Sequence, residues 1–145
     1  GPVTVDDINA TLKDIKLNSG FSSGTVSSIN GTGLITFGNL AKAGSSAAGV
    51  ADLKIARKSN DEAKITANVA GIFSGSGVAR VTESGGKIHV RLISAGGIPS
   101  SLLGGLGNFS IPLPNLPMGM TLRSVTLTSQ GALVHITGHN IAFGN

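Results

Sequence analysis

Three closely spaced prolines near the C-terminus limit what the chain can form there. Pro112, Pro114 and Pro117 each fix their own φ, lack a backbone N–H and push the preceding residue towards an extended conformation. They predict a stiff, extended approach to a strand. Two β-type runs follow, Leu122–Thr128 and Ala132–Ile141, and a short polar loop with a glycine separates them. This arrangement predicts a hairpin that closes the fold and walls an apolar interior.

The middle of the chain shows the alternation of a sheet. Between residues 53 and 94, apolar and polar residues alternate with period two, which predicts an antiparallel meander. Tight turns are predicted at Ser74–Gly77 and Ser84–Gly86. The Gly- and Leu-rich stretch Ala95–Gly107 breaks the pattern and predicts a short helix inside a mobile segment.

The first third leaves two interpretations open. Val3–Leu17 is predicted to be one long strand with a bulge near Lys13, although its apolar residues are also spaced as in a helix. Its β-branched residues favour the strand. Further on, Thr36 is expected to N-cap a short helix, Phe37–Ala43, which Gly44 would end.

Composition places these elements in one mainly β (α+β) domain. The chain has 145 residues, only 12% charged residues and a mean hydropathy of +0.28, which is too apolar for a disordered chain. We expect seven or eight strands with one or two short helices. Inward residues such as Ala63, Ala67 and Ala79 are small, so a helix or a ligand must fill the remaining space.

Charge and cysteine content exclude several function classes. The net charge is +4, but the basic residues do not cluster, and Trp and Tyr are absent. No nucleic-acid partner is therefore predicted, whereas contact with an anionic membrane surface fits the charge. The absence of cysteine excludes disulfides, thiolate metal ligands and cysteine nucleophiles. No apolar run reaches the roughly 18 residues of a membrane-spanning helix.

The motifs tested for chemistry do not predict catalysis, a metal site or a cofactor. Phe73–Gly77 lacks the glycine that a nucleophile elbow needs two residues before Ser74, so it is interpreted as a turn. His135 and His139 fall on a predicted strand, where four residues span about 13 Å, too far for one ion. No pair of carboxylates is spaced for general acid–base work.

The order of these signals resembles the LmeA-like phospholipid-binding family of actinobacterial cell-envelope proteins. Three stretches carry the resemblance: the Asp-punctuated strand Val3–Leu17, the strand and short helix Ile29–Ala43, and the closing block Pro112–Gly138. The resemblance implies a tubular lipid-binding architecture, in which a long, curved antiparallel sheet forms a half barrel around an apolar groove. It also implies export to the envelope or periplasm.

The resemblance also suggests the domain organisation. The family's N-terminal amphipathic helix and Gly-Phe-Pro-Phe-type segment are not present in this sequence. Residues 1–2 are interpreted as a tag scar, and residues 3–145 as a single lipid-binding-like domain. We expect this domain to be the C-terminal two-thirds of a longer exported or anchored protein.

The function predicted from these observations is non-enzymatic binding or carriage of a phospholipid or another acyl lipid. Arg123 would contact the head group, although a solvated arginine at a strand end is the alternative. Leu102, Leu103, Leu106 and Phe109 would form a flexible lip. The walls against the acyl chains would be Ile65, Val69, Ile88, Val90, Leu92, Val125, Leu127, Val134 and Ile136.

Two other functions stay open at this point. An exposed sheet edge would allow the domain to act as an envelope interaction module, as a homodimer or with another protein. A hydrolase is the third hypothesis, and the absence of a visible nucleophile–base pair argues against it.

Overall fold

The structure, a computed structural model, describes residues 3–50, 52–69, 73–113, 116 and 119–144. Within those residues the chain forms nine strands and two α-helices, with a 3₁₀ turn at Ser100–Leu102. The bounds in chain order are β1 Asp6–Leu17, β2 Gly24–Thr36, α1 Phe37–Ala48, β3 Asp52–Arg57, β4 Glu62–Val69, β5 Phe73–Ser84, β6 Lys87–Ser94, α2 Leu103–Leu106, β7 Asn108–Pro112, β8 Thr121–Leu127 and β9 Gly131–Phe143.

The strands form two antiparallel sheets that curl into a half barrel. Sheet A has the order β1-β2-β9-β8, and sheet B has the order β3-β4-β5-β6-β7. The predicted meander corresponds to β3–β6, and the predicted closing hairpin is β8–β9. The mainly β fold class with short helices is therefore confirmed. Pro112 lies in edge strand β7, where a missing N–H is tolerated, while Pro114 and Pro117 lie outside the described residues.

The first strand settles the earlier ambiguity, because residues Asp6–Leu17 pair with β2 as a strand and not as a helix. The bulge is displaced from its predicted place, since the register shifts between Asp6 and Asn9. Close to the predicted position, Asp14 adopts a left-handed backbone with φ 55° without shifting the register.

Helix α1 begins as predicted but ends later. The Thr36 side chain accepts a hydrogen bond from the Asn39 N–H (3.2 Å), as an N-cap does. The prediction that Gly44 ends the helix is wrong, because the helix continues to Ala48 and Gly49 forms a left-handed C-cap. Gly44 instead allows close packing, since a Cβ atom there would lie 3.1 Å from Leu53 Cδ2.

The predicted turn at Ser74–Gly77 is also wrong. These residues belong to β5 and pair with β4, with Gly75 opposite Ala67 and Gly77 opposite Ile65. The segment after β6 passes close above them, and a Cβ atom on Gly77 would lie 2.5 Å from the carbonyl oxygen of Ser94. The glycines therefore make room for a backbone crossing and do not reverse the chain. The predicted turn at Ser84–Gly86 is confirmed, with positive φ at both glycines.

The turn between β3 and β4 joins the two sheets. The Leu127 N–H of β8 donates to the Asn60 carbonyl (2.7 Å), and Arg57 Nε donates to the Leu127 carbonyl (3.1 Å). Arg57 Nη2 also donates to Asn60 Oδ1 (2.7 Å), which fixes the turn. This seam holds sheets A and B together on one side of the half barrel.

The core lies between the inner faces of the two sheets and under helix α1. Its fully buried large side chains come from both sheets and from the helices. Within the described residues, the buried side chains are all apolar. The largest of them are Val26, Ile29, Ile35, Leu40, Ile65, Val81, Ile88, Val90, Leu106, Ile111, Leu127 and Val134.

Candidate lipid-binding surface

The apolar inner face of sheet A continues onto β1, where it lies uncovered. Leu12 is paired with Ile29, and Ile15 is paired with Val26. Directly paired residues of antiparallel strands project to the same face. Val26 and Ile29 are fully buried core residues, whereas Leu12 and Ile15 are 39% and 52% exposed. The core face therefore extends one strand further than the elements that cover it.

A left-handed kink keeps these side chains on one face. Leu12 and Ile15 are three residues apart, a spacing that would place them on opposite faces of a regular strand. Asp14 interrupts the alternation with φ 55°, and Asn140 of β9 does the same with φ 51°. In the strand register, both residues fall in the row of Ser27, on β2 between them. The left-handed residues thus lie on β1 and β9, and on β2 between them Val26 and Ile29 are both buried although they are three residues apart. The apolar row is therefore continuous across the interruption.

The row extends to both ends of β1. A Cβ atom on Gly33 would lie 3.4 Å from core residue Val134 and 3.6 Å from Ile8 Cγ1, so Ile8 faces the core side. At the other end, Leu17 is paired with Gly24, and the Phe143 ring lies over that glycine. We name Ile8, Leu12, Ile15 and Leu17 the β1 strip. All four are exposed, and large exposed apolar patches are typical of binding surfaces.

Charged residues of β1 lie outside the strip. Lys13 and Lys16 are paired with Ser28 and Thr25, on the face opposite the β1 strip, and both are exposed. Asp6, Asp7 and Asp14 complete the charges of this strand. The two lysines therefore point away from the strip, and the four side chains of the strip are themselves apolar.

The structure brings most of the predicted wall residues together, but as packed core. Val69 lies in β4, and its side chain is outside the described residues. Leu92 and Val125 are half-buried against the core. The others are fully or almost fully buried, namely Ile65, Ile88, Val90, Leu127, Val134 and Ile136. A ligand can contact these side chains only if the two sheets separate, or at the edge of the core next to β1.

The predicted lip is packed as well. Leu106 and Phe109 are buried, and Leu102 and Leu103 are half-buried against the core. A Cβ atom on Gly44 of α1 would lie 3.5 Å from the Phe109 ring, so this segment packs on the helix. Its role as a lip remains a prediction that requires the segment to leave this position.

Arg123 is exposed on β8. The register shifts between Leu122 and Ser124, which makes Arg123 the extra residue of a β-bulge. Leu122 takes the inward position next to Val125, so Arg123 does not continue the apolar row. Its role towards a head group stays a prediction.

A second apolar depression lies between α1 and the edge strand β3. It has a volume of about 580 Å³. Phe37 and Ala41 of the helix and Leu53 and Ile55 of the strand form its apolar part, with Lys42 at its side. Because two of these four residues already belong to the core, this groove offers less free apolar surface than the β1 strip.

The His and carboxylate side chains of the described residues are not gathered in one cluster. These residues contain no group of three His, Cys, Asp or Glu side chains that could hold a metal ion. His89 Nδ1 lies 3.3 Å from Ser110 Oγ across β6 and β7, and within the described part of the chain His89 has no hydrogen bond to a carboxylate. Glu83 instead accepts a hydrogen bond from the Gly86 N–H (2.9 Å).

Sequence reasoning missed the β1 strip, although a signal was present. A strand with large apolar residues at positions 8, 12, 15 and 17 must bury them or offer them to a ligand.

None of the described helices is long and apolar enough to cross a membrane.

Comparison with known proteins identifies a family. A family model described as LmeA-like phospholipid-binding matches residues 2–137. Neither a curated protein nor a solved structure matches the chain. The match covers every strand of sheet B and all of β1, β2 and β8.

Proposed function

Because the chain belongs to the LmeA-like phospholipid-binding family, we propose that it binds phospholipid-like molecules and carries them, without catalysis, in a bacterial cell envelope. The observation that carries the proposal is the uncovered β1 strip, which faces the same side as the core. One acyl chain lies along the strip, and the head group remains in water at the end of it.

The dimensions of the strip support one extended acyl chain. Ile8 and Leu17 are separated by a strand length of about 30 Å, at about 3.3 Å per residue. An acyl chain in one leaflet of a bilayer spans about 15 Å, half of the thickness of the hydrocarbon core. The strip is therefore longer than such a chain. Each methylene removed from water contributes about 0.8 kcal/mol, so even a partly covered chain is held.

The wall residues predicted from the sequence enter the proposal in two ways. Val134 and Ile136 lie on β9, with β2 between them and the strip, and Gly33 and Gly31 of β2 are paired with them. Because these glycines carry no side chain, an acyl chain on the strip approaches the edge of the core across them. The deeper wall residues and the predicted lip contact a second acyl chain, which reaches them only when the sheets move apart. Arg123 lies on β8, at the opposite edge of sheet A from the strip. Its proposed bidentate pairing with a phosphate therefore applies to a lipid that enters between the sheets, and not to the head group at the end of the strip.

Carriage without catalysis is tested by lipid transfer between vesicles. Donor vesicles contain a fluorescent phosphatidylethanolamine, and acceptor vesicles contain none. We expect the protein to accelerate transfer and the recovered lipid to be chemically intact. Ser110→Ala should transfer lipid at the parent rate. An absence of acceleration, or recovery of a lysolipid or free fatty acid, would contradict the proposal.

The alternative function is an interaction module that uses the free edge of β1. In the described residues β1 pairs only with β2, so its other edge carries unpaired backbone groups. A second copy could add a strand there and cover the exposed apolar side chains. Against this, β1 carries five charged residues and a left-handed residue at both Asp7 and Asp14, features that hinder edge pairing.

Light scattering during size-exclusion chromatography separates the two functions. A strip that serves lipid gives a monomer at all concentrations, with or without lipid. A mass that doubles with concentration, and returns to the monomer value in Ile15→Lys, would favour the interaction module.

A further inference from the structure

The loop between β1 and β2, residues 18–23, exposes an aromatic side chain at its tip. Phe21 is 75% exposed, more than any other large hydrophobic residue described. Phenylalanine is the sole aromatic residue type in this sequence, and there are five in all. Half-buried Phe37 and Phe143 and buried Phe109 pack against the core. Among the phenylalanine side chains that the structure describes, Phe21 alone is exposed.

Hydrogen bonds hold this loop in a fixed shape. The Asn18 N–H donates to the Ser23 carbonyl (2.9 Å), and the Phe21 N–H donates to the Asn18 carbonyl (3.0 Å). The Asn18 side chain donates to Ser23 Oγ (2.6 Å) and accepts from the Ser22 N–H (3.1 Å). Phe21 is thus presented by an ordered loop.

The backbone at this position does not favour a large side chain. Phe21 has a φ of 57°, in the left-handed region that bulky residues rarely adopt and that Gly or Asn tolerate. An aromatic residue that is neither buried nor conformationally favoured contributes little to the fold. Its exposed ring is free to contact a surface outside the chain.

The surroundings of Phe21 fit the boundary of a lipid bilayer. Residues 18–24 contain only Asn, Ser, Gly and Phe, so no charge has to be desolvated. The nearest charged residue in sequence is Lys16, a cation that suits anionic head groups. Leu17, the last residue of the β1 strip, is also exposed and lies four residues before Phe21 in the sequence.

We propose that the Phe21 loop inserts into the boundary between the head groups and acyl chains of a bilayer, with Phe21 as its apolar wedge. This inference goes beyond lipid binding, because insertion does not require that the β1 strip hold an acyl chain. A single apolar side chain gives weak and reversible attachment. That suits a protein that must also leave the membrane.

The absence of tryptophan from the sequence allows a direct test. In Phe21→Trp, fluorescence reports on the loop tip alone. With vesicles of equal parts phosphatidylcholine and phosphatidylglycerol, we expect a blue shift and quenching by brominated lipid. The matched control is Leu133→Trp, since Leu133 is an exposed residue on β9 and should show neither effect.

Vesicle co-sedimentation measures the size of the effect. Phe21→Ser should weaken binding about tenfold, equivalent to about 1.4 kcal/mol, with an unchanged unfolding temperature. Phe21→Leu should retain most of the binding, and the exposed-residue control Ile93→Ser should retain all of it. Unchanged vesicle binding of Phe21→Ser, or unchanged emission of Phe21→Trp with vesicles, would overturn the inference.

Two further outcomes separate this inference from other interpretations. An emission shift of Phe21→Trp that appears with protein concentration alone would indicate a pocket on a second copy, and would overturn insertion. In a Leu12→Ser/Ile15→Ser double variant, loss of bound lipid with an intact Phe21→Trp shift supports insertion independently of the proposed function.

Discussion

Two single residues, Asp14 and Asn140, determine which face of sheet A the neighbouring apolar side chains occupy. Both have a left-handed backbone, and both fall in the row of Ser27. Without this kink, Leu12 and Ile15 would lie on opposite faces of β1, and no continuous strip would exist. Asp and Asn are the residues, after Gly, that tolerate this conformation best. The residue types at these positions therefore agree with the geometry, although alternation alone would have predicted the opposite face.

Gly44 shows how one missing side chain sets the distance between helix and sheet. A Cβ atom there would lie 3.1 Å from Leu53 Cδ2 and 3.5 Å from the Phe109 ring. We expect Gly44→Val to lower the free energy of unfolding by about 1–3 kcal/mol, because the core would be overpacked. Urea unfolding measures this change.

The matched control for Gly44 is Gly38→Ala, in the exposed first turn of the same helix. Its Cβ atom would meet only Thr36 Oγ1, at 4.0 Å. It should leave stability unchanged or raise it by up to about 1 kcal/mol through helix propensity. Equal effects of the two substitutions would contradict the packing role of Gly44.

Among the elements, strands were predicted better than helix ends and exposure, and one of the two predicted tight turns, Ser74–Gly77, was wrong. The closing hairpin was predictable because the alternation, the polar loop and Gly131 all agree. The end of α1 was not, since Gly44 has two compatible explanations, a helix stop or a close contact. The sequence of β1 identified it as a strand with an apolar face. It did not reveal which element covers that face, because coverage depends on contacts between distant segments.

The start of α1 is a prediction at this scale. Thr36 caps the helix through its hydroxyl and the Asn39 N–H. Thr36→Ala should lower the free energy of unfolding by about 1 kcal/mol. Chemical denaturation monitored by circular dichroism measures the change, with exposed Ser46→Ala in the same helix as the control. A loss no larger than that of the control would contradict the cap.

At the scale of the whole molecule, the seam at the β3–β4 turn connects sheet B to sheet A. Arg57 bonds both the Leu127 carbonyl and Asn60 Oδ1. Hydrogen bonds to a charged group contribute about 1.5–3 kcal/mol each. The bond to the Leu127 carbonyl is partly buried, whereas the bond to Asn60 is exposed and contributes less. β1 lies at the far end of sheet A from β8, so the strip opens away from this seam.

Arg57→Met should therefore lower the free energy of unfolding by about 1–3 kcal/mol. Lys64→Met is the matched control, because Lys64 is exposed in sheet B and has no ion pair within the described residues. It should change stability by less than about 0.5 kcal/mol. Similar losses for both substitutions would mean that the seam does not hold the sheets together.

The central claim is that the β1 strip holds a phospholipid acyl chain, and native mass spectrometry tests it most directly. After incubation with phosphatidylethanolamine and desalting, we expect the parent protein to retain one lipid per chain. Leu133→Ser, on the outer face of β9, and Ala41→Gln, in the groove beside α1, should retain it equally. Leu12→Ser/Ile15→Ser should lose it while keeping the parent unfolding temperature. Equal lipid retention in that double variant, or its loss in Ala41→Gln alone, would contradict the account.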